Sequence, residues 1–263
     1  MKIGFGVSVL FAVVGMLGVG HALVSGFRSS VRVRPMRPVR LLRQGRVGSP
    51  RPAREGAGIF TSFADLLMGR KIEDEERVEV DPGEVKGTKL KILKYPNPKL
   101  RNENAAVSTF DASLQQKAKE MLLIMYASDG IGLAAPQVGI NERLMVFNEF
   151  GDPAKVDKEM ILVNPVILAK SEEKDVREEG CLSFPLISGK VERHTSIEVE
   201  YQVVDSGEKV RTRFQGMPAR IFQHEYDHLD KVLFIDRLVP EDKAMNQKRL
   251  DKYVKKYGPG GAP

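Results

Sequence analysis

The chain has 263 residues, of which 42% are hydrophobic and 29% charged, and this ordinary globular composition excludes a collagen-like, fully disordered or polytopic membrane protein. The single cysteine, Cys181, excludes an internal disulfide framework. The net charge of +6 is unevenly distributed, because residues 1–54 contain Lys2, nine arginines and no acidic residue, which leaves −4 for residues 55–263. A mildly acidic body argues against a nucleic-acid-binding protein.

Residues 1–26 have the pattern of a secretory signal peptide. An uncharged apolar run at residues 3–20 follows Lys2, and small residues come after it, as in the core and cleavage zone of such peptides. The alternative is a membrane anchor. However, the run is at the lower length limit for crossing about 30 Å of hydrocarbon, and its five glycines weaken a helix. We therefore predict a cleaved leader.

Residues 27–60 resemble an organellar transit peptide, because they are rich in arginine, serine and proline and contain no acid before Glu55. A signal peptide followed by a transit peptide is similar to the two-part leader of proteins sent to plastids bounded by extra membranes. The alternative is a basic disordered tail that binds acidic surfaces. Residues 61–88 are predicted to be a linker, and residues 89–258 a folded domain.

The folded domain is predicted to begin with a strand, a helix and a loop. Lys89–Leu93 alternates apolar and charged residues, as a short strand does. Within Ser108–Ser128 apolar residues recur at helical spacing, and Asp111 is a suitable N-cap. Gly130–Gln137 follows as a glycine-containing loop.

Strands are predicted in the middle of the domain and helices at its end. The predicted strands are Arg143–Phe147, Met160–Leu168, Glu192–Val204 and Lys209–Phe214. The third is the longest, with Thr195, Ile197, Val199, Tyr201 and Val203 on one face, and it pairs with the fourth across Asp205–Gly207. The predicted helices run from Pro218 to about Asp230 and from Pro240 to about Gly258. Because strands are grouped and helices stand apart, the sequence predicts the α+β class.

An HExxH sequence, His224 to His228, lies within the first of these C-terminal helices. Residues i and i+4 share one helix face, so both imidazoles reach one metal ion. Glu225 is close enough to reach a metal-bound water without ligating the metal. Together with Ile221 these residues form one inward-facing stripe. The alternative is a chance HExxH on a solvated helix.

Cys181 is the strongest candidate for a third ligand, since the chain has only four histidines. A thiolate is a strong metal ligand, and Gly180 allows the backbone to turn beside it. Glu241 is a second candidate, and a small buried apolar residue is the alternative for Cys181. Two histidines and one cysteine leave the fourth tetrahedral position for water, as in catalytic sites. The set suits Zn(II) or Fe(II), and spacing does not choose between them.

Three segments together resemble the signature motifs of peptide deformylases, in the family's order. They are Gly130–Gln137 (GIGLAAPQ), Glu179–Ser183 (EGCLS) and Gln223–Leu229 (QHEYDHL). The flanking residues are similar to the plastid and mitochondrial branch, and the resemblance covers residues 89–240. It implies antiparallel sheets packed around a central HExxH helix and a metal-dependent catalytic domain at residues 89–258. The implied reaction is hydrolysis of the N-formyl group from the initiator N-formylmethionine of newly made organellar proteins, with release of formate.

The resemblance also implies a role for each motif residue. Glu225 is the general base and later the acid that protonates the departing amine. Gln137 through its side-chain amide, and Leu182 through its backbone N–H, donate to the oxyanion formed on the formyl carbon. The implied cofactor is one divalent ion, Fe(II) in preference to Zn(II). Its implied ligands are Cys181, His224 and His228.

Four residues are expected to bind the substrate peptide. Gly132 permits a close approach of the peptide backbone in extended form. Ile131 and Ile221 line the methionine pocket, where burial of the methionine side chain contributes roughly 1.5–3 kcal/mol. Glu179 is expected to hold either the substrate edge or a bond to a metal ligand.

The expected partners are nascent N-formylmethionyl peptides at the organellar ribosome, without direct nucleic-acid binding and without a membrane in the mature form. The expected location is a plastid, with the mitochondrion as second choice. Two rival functions differ in their requirements. An HExxH endopeptidase would cleave internal peptide bonds and would not need Cys181. An inactive module that binds nascent chains would tolerate changes at Glu225 or Gln137, yet both residues are present.

Overall fold

The computed structural model describes residues 80–258, so the leader at residues 1–26, the basic segment at 27–60 and most of the 61–88 linker lie outside the described residues. The helices are α1 Ala112–Ala127, α2 Met217–Leu229, α3 Phe234–Arg237 and α4 Pro240–Tyr257. The strands are β1 Gly132–Ala134, β2 Leu144–Phe147, β3 Met160–Lys170, β4 Lys174–Gly180, β5 Ser188–His194, β6 Ser196–Gln202 and β7 Lys209–Gln215. None of the helices described is long and apolar enough to span a membrane.

The strands form two antiparallel sheets. Five of them pair in the order β1-β2-β3-β6-β7, and β4 pairs with β5 in a separate hairpin. Strand β2 lies inside the larger sheet and is buried on both faces, which explains its continuous apolar sequence LMVF. The β6–β7 pair joins Gln202 to Lys209 across the predicted turn. The predicted α+β class with antiparallel sheets is confirmed.

Helix α2, which carries the HExxH sequence, packs against the larger sheet at β1, β2 and β7. Pro218 occupies its first turn, where a missing N–H costs no helix hydrogen bond. Before it, Gly216 has a positive φ of 66°, a conformation that glycine adopts without strain. The helix buries Ile221 and Phe222 against apolar residues of the sheet, including Val199. Burial on one face therefore fixes the direction in which the His224 stripe points.

Helix α1 begins where the sequence predicts. The carboxylate of Asp111 accepts hydrogen bonds from the N–H groups of Ser113 and Leu114, both at 3.0 Å, and so caps the helix. The apolar side of α1, with Leu114, Met121 and Met125, packs into a core shared with β1 and β2. A local cap and a local apolar period together determine this element.

The predicted strand Glu192–Val204 is wrong as a single element. The chain breaks at Thr195, so that the first part belongs to the β4–β5 hairpin and the second to the larger sheet. His194 is the last residue of β5, and the longest of the described strands is β3. The Thr195 N–H donates to Glu173 O, and the Gly216 N–H donates to Thr195 O. These distant contacts redirect the chain while the alternation of side chains continues through the break.

Two further predictions need correction. Lys89–Leu93 is not a strand, because the Leu93 N–H donates to Gln137 O instead of joining a sheet. The predicted loop Gly130–Gln137 contains β1 and the start of a 3₁₀ helix, Ala135–Val138. Neither β4 nor α3 was predicted from the sequence. Both elements are short or strongly charged, so they carry little periodic signal.

Candidate active site

Cys181, His224 and His228 meet in the interior of the domain. The two histidines lie one turn apart on α2, and Cys181 directly follows β4. The three potential ligand atoms lie within 4.8 Å of one another, and Cys181 Sγ is 3.3 Å from His228 Nε2. All three residues are buried, with 4%, 7% and 1% of their surfaces exposed. The third candidate ligand is thus Cys181, whereas Glu241 is exposed in the first turn of α4.

Glu179 orients the first histidine. His224 Nδ1 donates to Glu179 Oε2 at 3.0 Å, which leaves Nε2 to face the cluster. Burial by itself lowers the pKa of His224, but hydrogen bonds to Cys181 and Glu179 outweigh it and raise that pKa well above its usual value. Burial lowers the pKa of His228, and the charge of His224 lowers it further. The lowered pKa of His228 favours the neutral form, in which an imidazole binds a metal.

Buried arginines hold the Glu179 carboxylate in place. Arg193 donates to both of its oxygens, at 3.0 and 2.9 Å, and Arg220 donates to Oε1 at 2.6 Å. Arg193 also donates to Asp227 on α2, at 2.6 Å. Burial would raise the pKa of Glu179, but attraction to Arg193 and hydrogen bonds from His224 and Arg193 hold it well below the usual range. Since both oxygens are occupied, the geometry favours a bond to a metal ligand over a substrate contact for Glu179.

We expect Glu179→Gln to lower both stability and metal affinity. The amide keeps the shape but leaves the buried charges of Arg193 and Arg220 without their shared anion, and removal of one partner of a buried ion pair costs about 3–5 kcal/mol. Loss of the acceptor for His224 Nδ1 should lower metal affinity about 10–100-fold. Urea unfolding and metal titration measure the two effects.

The matched control for this substitution is Glu192→Gln on the neighbouring strand. Glu192 pairs with Lys174 at 3.1 Å, but its side chain is 54% exposed. Exposed ion pairs contribute at most about 1 kcal/mol. A Glu179→Gln protein as stable as the control would show that the buried network does not support the site.

Glu225 points into the same interior from α2 and lies against Gly132. Within the described residues its Oε2 atom has no hydrogen-bond partner, although it is buried. A Cβ atom on Gly132 would lie 2.5 Å from Glu225 Oε1 and 2.9 Å from Ile221 Cγ2, so only glycine fits there. Burial raises the pKa of Glu225 to about 7, although the charges of His224 and Arg193 oppose the shift. A carboxylate with this pKa is suited to exchange protons near neutral pH.

Gln137 reaches the cluster from the 3₁₀ helix that follows β1. Its Oε1 atom accepts a hydrogen bond from the Ala134 N–H at 2.8 Å, which orients the amide. Its Nε2 atom lies 3.4 Å from both Cys181 Sγ and Ser183 Oγ. The amide N–H groups of Gln137 therefore face the cysteine ligand, and the neighbouring Leu182 is half-buried beside it.

The predicted pocket residues lie next to these groups. Ile131 and Ile221 are both buried and belong to one apolar cluster, into which Phe147 also packs. Gly132 lies against both Ile221 and Glu225. The structure therefore brings all ten predicted site residues into one region, either at the cluster itself or directly beside it. His194 is not part of the cluster, since its ring nitrogen Nδ1 contacts Ser171 O.

The arginine and aspartate support of the site was not predicted from the sequence. Arg193 and Arg220 are almost completely buried, and Asp227 is one residue before His228. One feature of the sequence indicates this support. Arg193 follows Val191 at the next inward-facing position of β5. A charged residue at an inward strand position indicates a buried ionic partner.

The donor set fits a divalent metal ion. One thiolate and two imidazoles are a ligand set found in catalytic metal sites that keep one position open. Glu225 is the acidic residue beside these ligands. The soft sulfur ligand suits Zn(II) or Fe(II) better than Mg(II) or Ca(II). The fold and site thus define a metal-dependent hydrolase of the HExxH type.

Comparisons with known proteins identify the family. The model of the polypeptide deformylase family matches residues 89–244. Peptide deformylase 1B, chloroplastic, of Oryza sativa subsp. japonica is 38% identical over 237 residues, which cover 88% of this chain and 85% of that protein. Peptide deformylase 1B, chloroplastic/mitochondrial, of Arabidopsis thaliana is 45% identical over 170 residues, 65% of this chain and 62% of that protein. The chain belongs to the polypeptide deformylase family.

Solved structures agree with this assignment. A crystal structure of plant peptide deformylase PDF1B has a TM-score of 0.63 and 45% identity, and the match covers 65% of this chain and 91% of that one. Peptide deformylase from Plasmodium falciparum also has a TM-score of 0.63, with 41% identity over 66% of this chain and 100% of that one. The predicted family, the fold class and the metal-dependent deformylase activity are confirmed.

Proposed function

We propose that this chain deformylates the initiator N-formylmethionine of proteins newly made in a plastid, with release of formate. The convergence of Cys181, His224 and His228 within 4.8 Å, beside the buried Glu225, carries the proposal. The relatives named above support an organellar location, because their names are chloroplastic or chloroplastic/mitochondrial. The choice of plastid over mitochondrion is supported by the two-part leader pattern of residues 1–60.

In the proposed mechanism, Cys181, His224 and His228 would hold one divalent ion, Fe(II) in preference to Zn(II). When bound, the ion supplies Lewis acidity, which makes a water molecule acidic near neutral pH. Glu225 accepts the proton of the attacking water and then delivers it to the departing amine nitrogen. Its raised pKa, about 7, suits both transfers.

The oxyanion formed on the formyl carbon is stabilised by two donors in this proposal. The side-chain amide of Gln137 is one, and its orientation is fixed by the bond from the Ala134 N–H. The backbone N–H of Leu182 is the other. Removal of one such donor typically costs about 3–4 kcal/mol of transition-state stabilisation.

Substrate recognition is proposed to involve the apolar cluster beside Gly132. The methionine side chain would be buried against Ile131 and Ile221, which are part of that cluster. Gly132 lies in β1, an edge strand of the larger sheet, so an extended peptide would pair with the backbone there. In the cell, these substrates would be met as nascent chains at the organellar ribosome.

Release of formate from formyl-Met-Ala-Ser by the full chain tests the proposed activity. We expect turnover with Fe(II) under nitrogen, slower turnover with Zn(II), and no cleavage of internal peptide bonds in an unformylated peptide. Cleavage of the unformylated peptide without formate release would favour the endopeptidase alternative instead.

The leader predicts the location of the protein. A fluorescent reporter that carries residues 1–60 should enter a plastid in an alga whose plastid has extra membranes, because both parts of the leader are then read in turn. Reporters with residues 27–60 alone should lack the first signal and stay outside. A reporter found in the mitochondrion or the cytosol would contradict the plastid assignment.

A further inference from the structure

The segment Leu93–Tyr95 connects two of the motif segments at the active site. The Leu93 N–H donates to Gln137 O at 2.7 Å, and the Tyr95 N–H donates to Ser183 O at 2.9 Å. The Tyr95 ring also stacks on Phe184, with the ring centres 5.1 Å apart. Three consecutive residues, which lie outside all three motifs, therefore hold together the segments that carry Gln137 and Leu182.

Lys94 is the middle residue of this segment, and it reaches the Leu182 backbone directly. Its Nζ donates to Leu182 O at 3.0 Å. Leu182 occupies the centre of a turn that is closed by a 2.8 Å hydrogen bond from the Phe184 N–H to Cys181 O. The central carbonyl of such a turn takes no part in the closing bond. The lysine ammonium gives this carbonyl a charge-assisted partner, which is stronger than a neutral one.

From this geometry we propose that Lys94 is a positioning residue for the oxyanion donor at Leu182. The N–H and the carbonyl of Leu182 belong to one residue, so anchoring the carbonyl limits how far the turn shifts relative to Cys181. A displacement of about 1 Å at a reacting group is enough to cost about 100-fold in rate. This inference rests on the role proposed above for the Leu182 N–H.

Replacement of Lys94 by Met tests the inference in the full-length, Fe(II)-loaded chain. Met is an unbranched side chain only one atom shorter than Lys, and it removes the donor. We expect kcat for formyl-Met-Ala-Ser to fall about 10–100-fold with KM within about twofold, because the lost support acts on the transition state and not on substrate binding. Lys94→Arg, which keeps a cationic donor, should recover most of kcat.

The matched control is Lys91→Met, since Lys91 is an exposed lysine three residues earlier in the chain. It should match the unmodified chain in kcat, KM, Tm and metal content. A Lys94→Met protein with unchanged kcat would overturn the inference. So would a loss of bound metal or a large drop in Tm, because either would show a structural role. Failure of the unmodified chain to release formate would instead overturn the proposed function, and with it the role of Lys94.

Discussion

Glu225→Gln should retain the metal ion and lose about 10²–10⁴-fold in kcat. The amide keeps the size of the side chain in the tight space beside Gly132, where a Cβ atom would already lie 2.5 Å from Oε1. It cannot accept a proton from water, and removal of a general base has an effect of this size. Steady-state formate release and metal content per chain, measured on the same preparation, separate the two properties.

The control for Glu225→Gln is Glu198→Gln, because Glu198 is exposed on β6. The same chemical change at Glu198 should leave kcat within about twofold of the value for the unmodified chain. If Glu225→Gln retained near-normal turnover with its metal bound, another group would have to be the base. If it lost the metal, Glu225 would instead contribute to the metal site itself.

Cys181→Ser should lose most of its bound metal and with it nearly all activity. A neutral hydroxyl is a much poorer ligand than a thiolate for Zn(II) or Fe(II). The change also removes the sulfur atom that lies 3.3 Å from His228 Nε2 and 3.4 Å from Gln137 Nε2. Metal titration with a competing chelator should show a large decrease in affinity, and the far-ultraviolet circular dichroism spectrum should remain that of the folded domain.

Two companion variants make this test specific. Cys181→Asp keeps an anionic ligand, so it should bind metal better than Cys181→Ser while altering the acidity of the bound water. Glu241→Gln changes the other candidate ligand, which is exposed on α4, and it should leave metal affinity unchanged. Stoichiometric tight metal in Cys181→Ser together with loss of metal in Glu241→Gln would reverse the assignment of the third ligand.

The sequence by itself determined the elements whose causes are local. Helix α1 follows from an N-cap at Asp111 and an apolar period in the next four turns, all within one short stretch of chain. Helix α2 follows from Pro218 and from the spacing of His224 and His228, which places both imidazoles on one face. The few candidate ligands in the chain favoured Cys181 as the third ligand, and the resemblance of three short motifs to one family supplied the reaction.

Only the tertiary structure decided the features whose partners lie far apart in sequence. The break at Thr195 leaves the alternation of side chains intact, so periodicity cannot reveal that β5 and β6 belong to different sheets. Arg193 contacts Glu179 and Asp227, 14 and 34 residues away, and such pairings depend on how the hairpin packs against α2. The contact of Lys94 with Leu182 spans 88 residues. Hydrogen bonds of this kind are decided by packing, because no local propensity determines which distant groups will meet.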